Sequence, residues 1–187
     1  MVRAFDATPV DQAWLDDMCA QSLWAPTAGN SAGVRMYTFS AREVGDYFAV
    51  ATDEEWRSSA RRAPGLARAG GGVLVTSRPQ DYTARYAEPD KERSGLADRT
   101  AWSIPYWHTD AAMATMSLLL LMEEAGWQAT LWGNFRHDDA VLAWAGARDD
   151  QLFATVLVGR GDPADVPSAS LTRTVPTRRE RVRRVGD

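Results

Sequence analysis

The segment DAAMATMSLLLLMEEAG, residues 110–126, leaves this chain few ways to fold. Ala, Met and Leu dominate it, and all three favour helix, so the segment predicts an α-helix with Asp110 as N-cap and Gly126 at its C-terminal end. That helix is apolar nearly all round. A surface helix carries one apolar stripe and one polar face, whereas a helix without a polar face is covered on most sides. The segment therefore predicts either a central place in the domain or a seat against a second subunit. Its apolar run, residues 113–122, is interrupted by Thr115 and Ser117 and is half of the ~20 residues a membrane span needs. No membrane partner is expected.

The rest of the chain supplies a sheet for the helix to cover. Trp14, Leu15, Met18, Cys19 and Leu23 recur at helical spacing, giving an amphipathic helix that ends before Pro26. Residues 34–39 alternate as a strand does. AREVGDYFAV and TDEEWRSSARRA read as short helices, the second ending at Pro64. GGGVLVTS reads as a fully buried strand; no Gly-Lys-Ser/Thr follows it, so it is not a phosphate-binding P-loop. QATLWG reads as a strand, DDAVLAWAG as a helix capped by Asp138 or Asp139, and LFATVLVGRG as the last strand. Helices and strands alternate without βαβ regularity, which predicts an α+β fold with a mainly antiparallel central sheet flanked by helices.

At 187 residues the chain is long enough for one domain with a substantial core. Its eight Trp suit core positions, or flat sites and subunit interfaces. Cys19 is the only cysteine, so no internal disulfide forms and the residue reads as a small buried hydrophobe. With no signal-like opening segment, a cytoplasmic location is expected. Residues 171–187 carry six Arg against Glu180 and Asp187, although the whole chain is net −4. This asymmetry divides the chain into a domain over 1–170 and a basic C-terminal arm over 171–187. The arm is either a solvated end or a source of Arg for an anion. An acidic body does not suit duplex nucleic acid, so no nucleic-acid partner is expected.

Side-chain catalysts are scarce. No Gly-x-Ser-x-Gly elbow, paired cysteine or GxGxxG fingerprint is present, and His108 and His137 are the only histidines, so no metal site is expected. Arg160-Gly161-Asp162 matches an adhesion tripeptide only by chance. No catalytic side chain is named, and the chemistry is expected to belong to a bound cofactor. The loop APTAGN, residues 25–30, is richer in small residues than a turn requires, as backbone that approaches a flat ligand closely must be.

Taken in order, MVRAFD, APTAGN, RYAEPDK, PYWHTDAAMATMSLLLLMEEAGWQATLWGNF and LTRTVP resemble the FMN-dependent nitroreductase family over most of the chain. The resemblance implies a nitroreductase-like dimeric fold with FMN between the subunits. Arg3 falls at the second basic position of the opening segment that holds the FMN phosphate and ribityl region. The first basic position falls before Met1, and both a late start and compensation by tail arginines remain open. Pro26, Thr27, Ala28, Gly29 and Asn30 match the loop that reaches the flavin bound mainly by the other subunit. Ala32 and Gly33 stand where the family often has Gln-Pro. Leu131, Trp132, Gly133 and Asn134 match the segment whose Gly N–H points toward flavin N5, a preorganised donor for charge developing on the ring. Arg173 matches the late phosphate-binding Arg, with Arg178 and Arg179 as lesser candidates; the planar guanidinium suits a phosphate.

The resemblance implies an FMN-dependent oxidoreductase. It takes hydride from NAD(P)H and passes it to a small-molecule acceptor (nitro compound, quinone or enone) by a ping-pong mechanism, as a homodimer. Two alternatives share the fold: a flavin-dependent dehydrogenase or oxidase of a peptide or heterocycle, and a flavin-binding or interaction protein without turnover. Tyr82, Tyr86, Trp102, Tyr106, Trp107 and His108 form an aromatic set that reads either as core or as a substrate lid.

Overall fold

The computed structural model describes residues 1–134 and 136–185. In chain order its strands are β1 (Val34–Ser40), β2 (Gly71–Ser77), β3 (Gln128–Trp132) and β4 (Gln151–Gly159). Its α-helices are α1 (Gln12–Ser22), α2 (Val44–Ala51), α3 (Glu54–Ser59), α4 (Ala63–Leu66), α5 (Pro79–Tyr86), α6 (Tyr106–Glu124) and α7 (Asp138–Trp144), with short 3₁₀ turns between them. The four strands form one antiparallel sheet in the order β1-β2-β4-β3. The α+β expectation is met.

Alternation along the two central strands divides the core between two faces. Val73 and Val75 of β2, with Val156 and Val158 of β4, pack against Leu15 and Cys19 of α1 and Ala111, Ala114, Leu118 and Met122 of α6. The intervening Leu74 and Leu157 face the other way, into Tyr47 and Phe48 of α2 and Val141 of α7. Helices thus cover both faces. A buried polar pin fixes the register at one end: Tyr37 Oη and Thr76 Oγ1 donate to Asp150 Oδ2 at 2.9 and 2.6 Å, next to the irregularity between Val75 and Thr76.

Three expected boundaries need correction. Asp110 is not an N-cap. The helix begins a turn earlier at Tyr106, after Pro105, and Asp110 is buried inside it, bonded to other elements. Pro64 does not end a helix but occupies the opening turn of α4, where a missing N–H costs nothing. Asp138 and Asp139 do not cap α7; His137, with φ 63°, precedes it and the two acids lie in its first turn, where the helix dipole favours them. The C-terminal end of α6 is as expected. Gly126 takes φ 74°, its N–H donates to Glu123 O, and the Trp127 N–H reaches Met122 O, closing the last carbonyls.

Helix α6 packs its buried residues on the sheet, but Met113, Met116 and Leu120 remain 40, 52 and 58% exposed along another face. Trp24, just beyond α1, is 89% exposed. Of the eight Trp only Trp107 is fully buried; six others are partly covered at the edges of the core. Cys19 is buried, and burial pushes its thiol up to about 12, so it is inert at neutral pH. Arg160 lies over the Trp127 ring and bonds Gly126 O, and Asp162 pairs with Arg68 at 3.1 Å, so this tripeptide is used internally.

Among the described residues no helix is long and apolar enough to cross a membrane.

Candidate active site

The end of β3 opens into a cleft of about 430 Å³ lined by Ala51, Thr52, Asp53, Trp56, Trp132, Gly133, Asn134, Arg136 and His137. Its aromatic wall is built from three elements. Trp56 of α3 stacks on Phe48 of α2 at 5.9 Å between ring centroids, and Trp132 of β3 meets Trp56 edge-on at 5.2 Å. Such contacts hold two large side chains at fixed orientations beside the Gly133 backbone. Leu131, on the other face of the same strand, is 38% exposed and outside the cleft lining.

Asn134 is held from beneath. Tyr47 Oη donates to Thr155 Oγ1 at 2.9 Å, and Thr155 Oγ1 donates to Asn134 Oδ1 at 2.9 Å. Tyr47 and Thr155 are both fully buried. Burial pushes the Tyr47 phenol up to about 12, against the opposing effect of its hydrogen bonds to Thr155 and Asn134, so it remains a donor throughout the neutral range. Asp138, near the cleft, has its carboxyl raised by burial and then by Asp139.

A second, smaller cleft, about 160 Å³, is lined by Arg3, Ala4, Arg61, Arg62, Gly65, Ala164, Asp165 and Val166. Three of its lining residues are arginines, against one acid, Asp165, whose Oδ2 accepts the Arg3 backbone N–H at 3.0 Å. Arg61 and Arg62 escaped the sequence reading because RSSARRA reads as the charged end of a helix. Trp56 lines the first cleft and Arg61 the second; five residues span at most ~18 Å, so the clefts are neighbours. Arg173 is not brought to either cleft. It follows the 3₁₀ turn Ala169–Thr172, is exposed, and its side chain bonds no described residue.

The loop 26–30 lies elsewhere in the chain. Its turn Ala28–Asn30 packs against α5, where a Cβ on Gly29 (φ 63°) would come within 2.7 Å of the Tyr86 ring. Arg85 Nε donates to Gly29 O at 2.9 Å. Ala28 shares a shallow cleft of about 380 Å³ with Tyr86, Leu96, Ala101, Trp102, Ser103 and Tyr106. None of residues 131–134 lines that cleft, and none of residues 26–30 lines the Gly133 cleft. A single chain does not bring the two segments together.

The aromatic set is one contiguous cluster. Trp102 touches Tyr82, Tyr86, Tyr106 and Trp107, while His108 stacks on Phe153. Tyr82 and Trp107 are buried and belong to the core; Tyr106 and Trp102 face the shallow cleft. Burial, and next the Arg99 charge, lowers the His108 pKa. Among the described residues no group of three or more His, Cys, Asp or Glu is placed to hold a metal ion.

The sequence model of the Nitroreductase family matches residues 1–160. The chain belongs to the nitroreductase family. That family consists of flavin oxidoreductases, and the antiparallel sheet with helices on both faces is its architecture in this chain. No curated relative matches the chain. Solved structures share the fold at low identity. A nitroreductase family protein of Streptococcus pneumoniae superposes with a TM-score of 0.71 at 14% identity, covering 98% of this chain and 94% of that one. A nitroreductase of Lactococcus lactis, in complex with nicotinic acid, gives 0.68 at 14% identity, covering 95% of each chain. A protein of Exiguobacterium sibiricum, named as a nitroreductase and in complex with FMN, gives 0.62 at 12% identity, covering 94% and 88%. The family match ends at residue 160, so the exposed residues beyond it lie outside the stretch that the family model matches.

Proposed function

We propose that this nitroreductase-family chain is an FMN-dependent oxidoreductase that takes hydride from NAD(P)H and passes it to a nitro compound, quinone or enone, donor and acceptor using one site in turn. The observation that carries the reading is the Gly133 cleft: a strand end walled by two tryptophans and an Asn fixed from beneath by a buried hydroxyl pair. Bound FMN would supply a ring that accepts and then releases hydride.

The residues present fit that group. Trp56 and Trp132 offer apolar walls, Asn134 offers an amide, and the Gly133 N–H is a donor that needs no side chain. The neighbouring cleft offers Arg3, Arg61 and Arg62 to a phosphate, so the charge that the family places before Arg3 has a source within the domain. Arg173 is a further phosphate ligand in this reading if the basic arm 171–187 folds over the partner subunit. This supply of cations favours a flavin-binding chain over an interaction protein without flavin.

A homodimer completes the site. Pro26, Thr27, Ala28 and Asn30 of one subunit would meet the flavin held by the other, since the chain's own two segments line separate clefts. The exposed Met113, Met116 and Leu120 stripe on α6 supplies apolar surface for the interface, of which obligate dimers bury more than about 2,000 Å². Titration of the apoprotein with FMN, followed by fluorescence, with sedimentation on the same sample, tests both parts. Saturable quenching on a dimer is expected. A stable monomer at micromolar concentration removes the shared site, and the absence of quenching removes the flavin.

A further inference from the structure

We infer that Asp110 is a positioning residue: from inside α6 its carboxylate sets the conformation in which residues 26–30 meet the flavin. The inference rests on the functional reading above. Asp110 is 1% exposed, and no Lys or Arg among the described residues pairs with it. A carboxylate buried in that way is costly unless hydrogen-bonded, so its partners show what it is for. The Ala28 N–H and the Tyr82 hydroxyl both donate to Oδ2, at 2.8 and 2.9 Å, and Thr109 Oγ1 lies 3.4 Å from Oδ1.

The Ala28 bond is the informative one. Ala28 opens the 3₁₀ turn Ala28–Asn30, and Thr27, its N-cap, makes no side-chain capping bond. The N–H at the first position of the turn, an end group with no partner inside the turn, is taken by a residue 82 positions away. An apolar residue at 110 would pack in α6 equally well and could not do this.

The loop also needs outside support. Asn30 and Ala32 sit at φ 57° and 50°, left-handed conformations that cost a non-glycine residue about 1 kcal/mol or more each and persist only where the surroundings over-determine them. Arg85, fixed by Asp90 through two contacts of 2.7 Å, holds Gly29 O, while Asp110 holds the N–H before it. The turn is clamped at a donor by α6 and at an acceptor by α5. Asn30 itself is exposed at the end of this clamped turn.

The test compares Asp110→Ala with Asp110→Asn in the full chain, reading the FMN dissociation constant and the hydrogen-exchange rate of the Ala28 amide. Asp110→Ala should raise both by about ten-fold or more, as loss of a buried, charge-assisted bond does. Asp110→Asn keeps an acceptor oxygen of the same shape and should return both to within about three-fold of wild type. A folded Asp110→Ala that melts lower but binds FMN as wild type does shows a structural role alone and overturns the inference. Should that variant fail to fold, Ala28→Pro breaks the same bond from the loop side. Thr27 is extended (φ −124°, ψ 146°), as a residue before Pro prefers. An unchanged FMN dissociation constant in Ala28→Pro overturns the inference equally. Wild-type protein that binds no FMN overturns the functional reading first, and this inference with it.

Discussion

Replacing Thr155 by Val tests how Asn134 is held, because the two side chains have the same shape and differ by a hydroxyl. In the native chain that hydroxyl accepts from Tyr47 and donates to Asn134, each at 2.9 Å in a fully buried setting. Two hydrogen bonds at about 1 kcal/mol net each give an expected loss of about 2 kcal/mol. In a domain of this size that corresponds to a fall in melting temperature of roughly 4–8 °C. Tyr47→Phe removes the first bond and the phenol's longer 3.4 Å contact with Asn134 but leaves Thr155 donating to Asn134, so its loss should be about 1 kcal/mol. The double variant loses both 2.9 Å bonds and the 3.4 Å Tyr47–Asn134 contact, and the Tyr47–Thr155 bond is counted in each of the single variants. The cycle should therefore fall short of additivity by about 1 kcal/mol. Urea denaturation with coincident fluorescence and circular dichroism transitions supplies the four free energies. Additive losses, or a Thr155→Val cost below about 0.5 kcal/mol, refute the relay and leave Asn134 unsupported.

Three further outcomes are expected. Arg61→Ala and Arg173→Ala should each weaken FMN binding by about ten- to a hundred-fold while Arg183→Ala leaves it unchanged, as one charge-assisted phosphate contact is lost or kept; equal dissociation constants for all three misplace the phosphate. Gly133→Val should slow flavin reduction by about ten-fold or more, at least ~1.4 kcal/mol in the barrier, without lowering the melting point; a variant that melts early and reduces normally shows Gly133 to be a turn only. His108 is lowered in the fold from its ordinary value of 6.5, by burial and then Arg99, so the unfolded chain binds the extra proton and stability falls as pH drops through 6.5 toward the folded value. Replacing His108 by Gln should flatten that decline in urea denaturation between about pH 7 and 5.5, and an unchanged slope refutes the assignment.

The sheet was legible in the sequence because its strands are short, apolar and set off by Gly or turn residues, as in GGGVLVTS and LFATVLVGRG. The long helix was legible from composition alone. Its start was not. Asp110 has the side chain of an N-cap and precedes an apolar run, yet its acceptor serves a turn far away in sequence, and local pattern carries no sign of a bond across 82 residues. Aromatic residues before it, Tyr106 and Trp107, are indifferent helix formers that join α6 because they pack on Trp102 and Tyr82. The same limit hid Arg61 and Arg62. Their meaning arises only where residues 3 and 164–166 fold beside them. Gly133 and Asn134 could be named from the segment TLWGNF, but the Tyr47 and Thr155 hydroxyls beneath Asn134 come from two other elements with no polar pattern to announce them.

The most direct test is anaerobic stopped-flow spectroscopy of the purified, FMN-loaded dimer mixed with NADPH or NADH. Bleaching of the flavin bands by at least one of the two donors is expected, with their return when a nitro compound or quinone is added. A chain that holds FMN at its Gly133 cleft yet shows no bleaching with either donor would contradict the assignment as an NAD(P)H-dependent oxidoreductase.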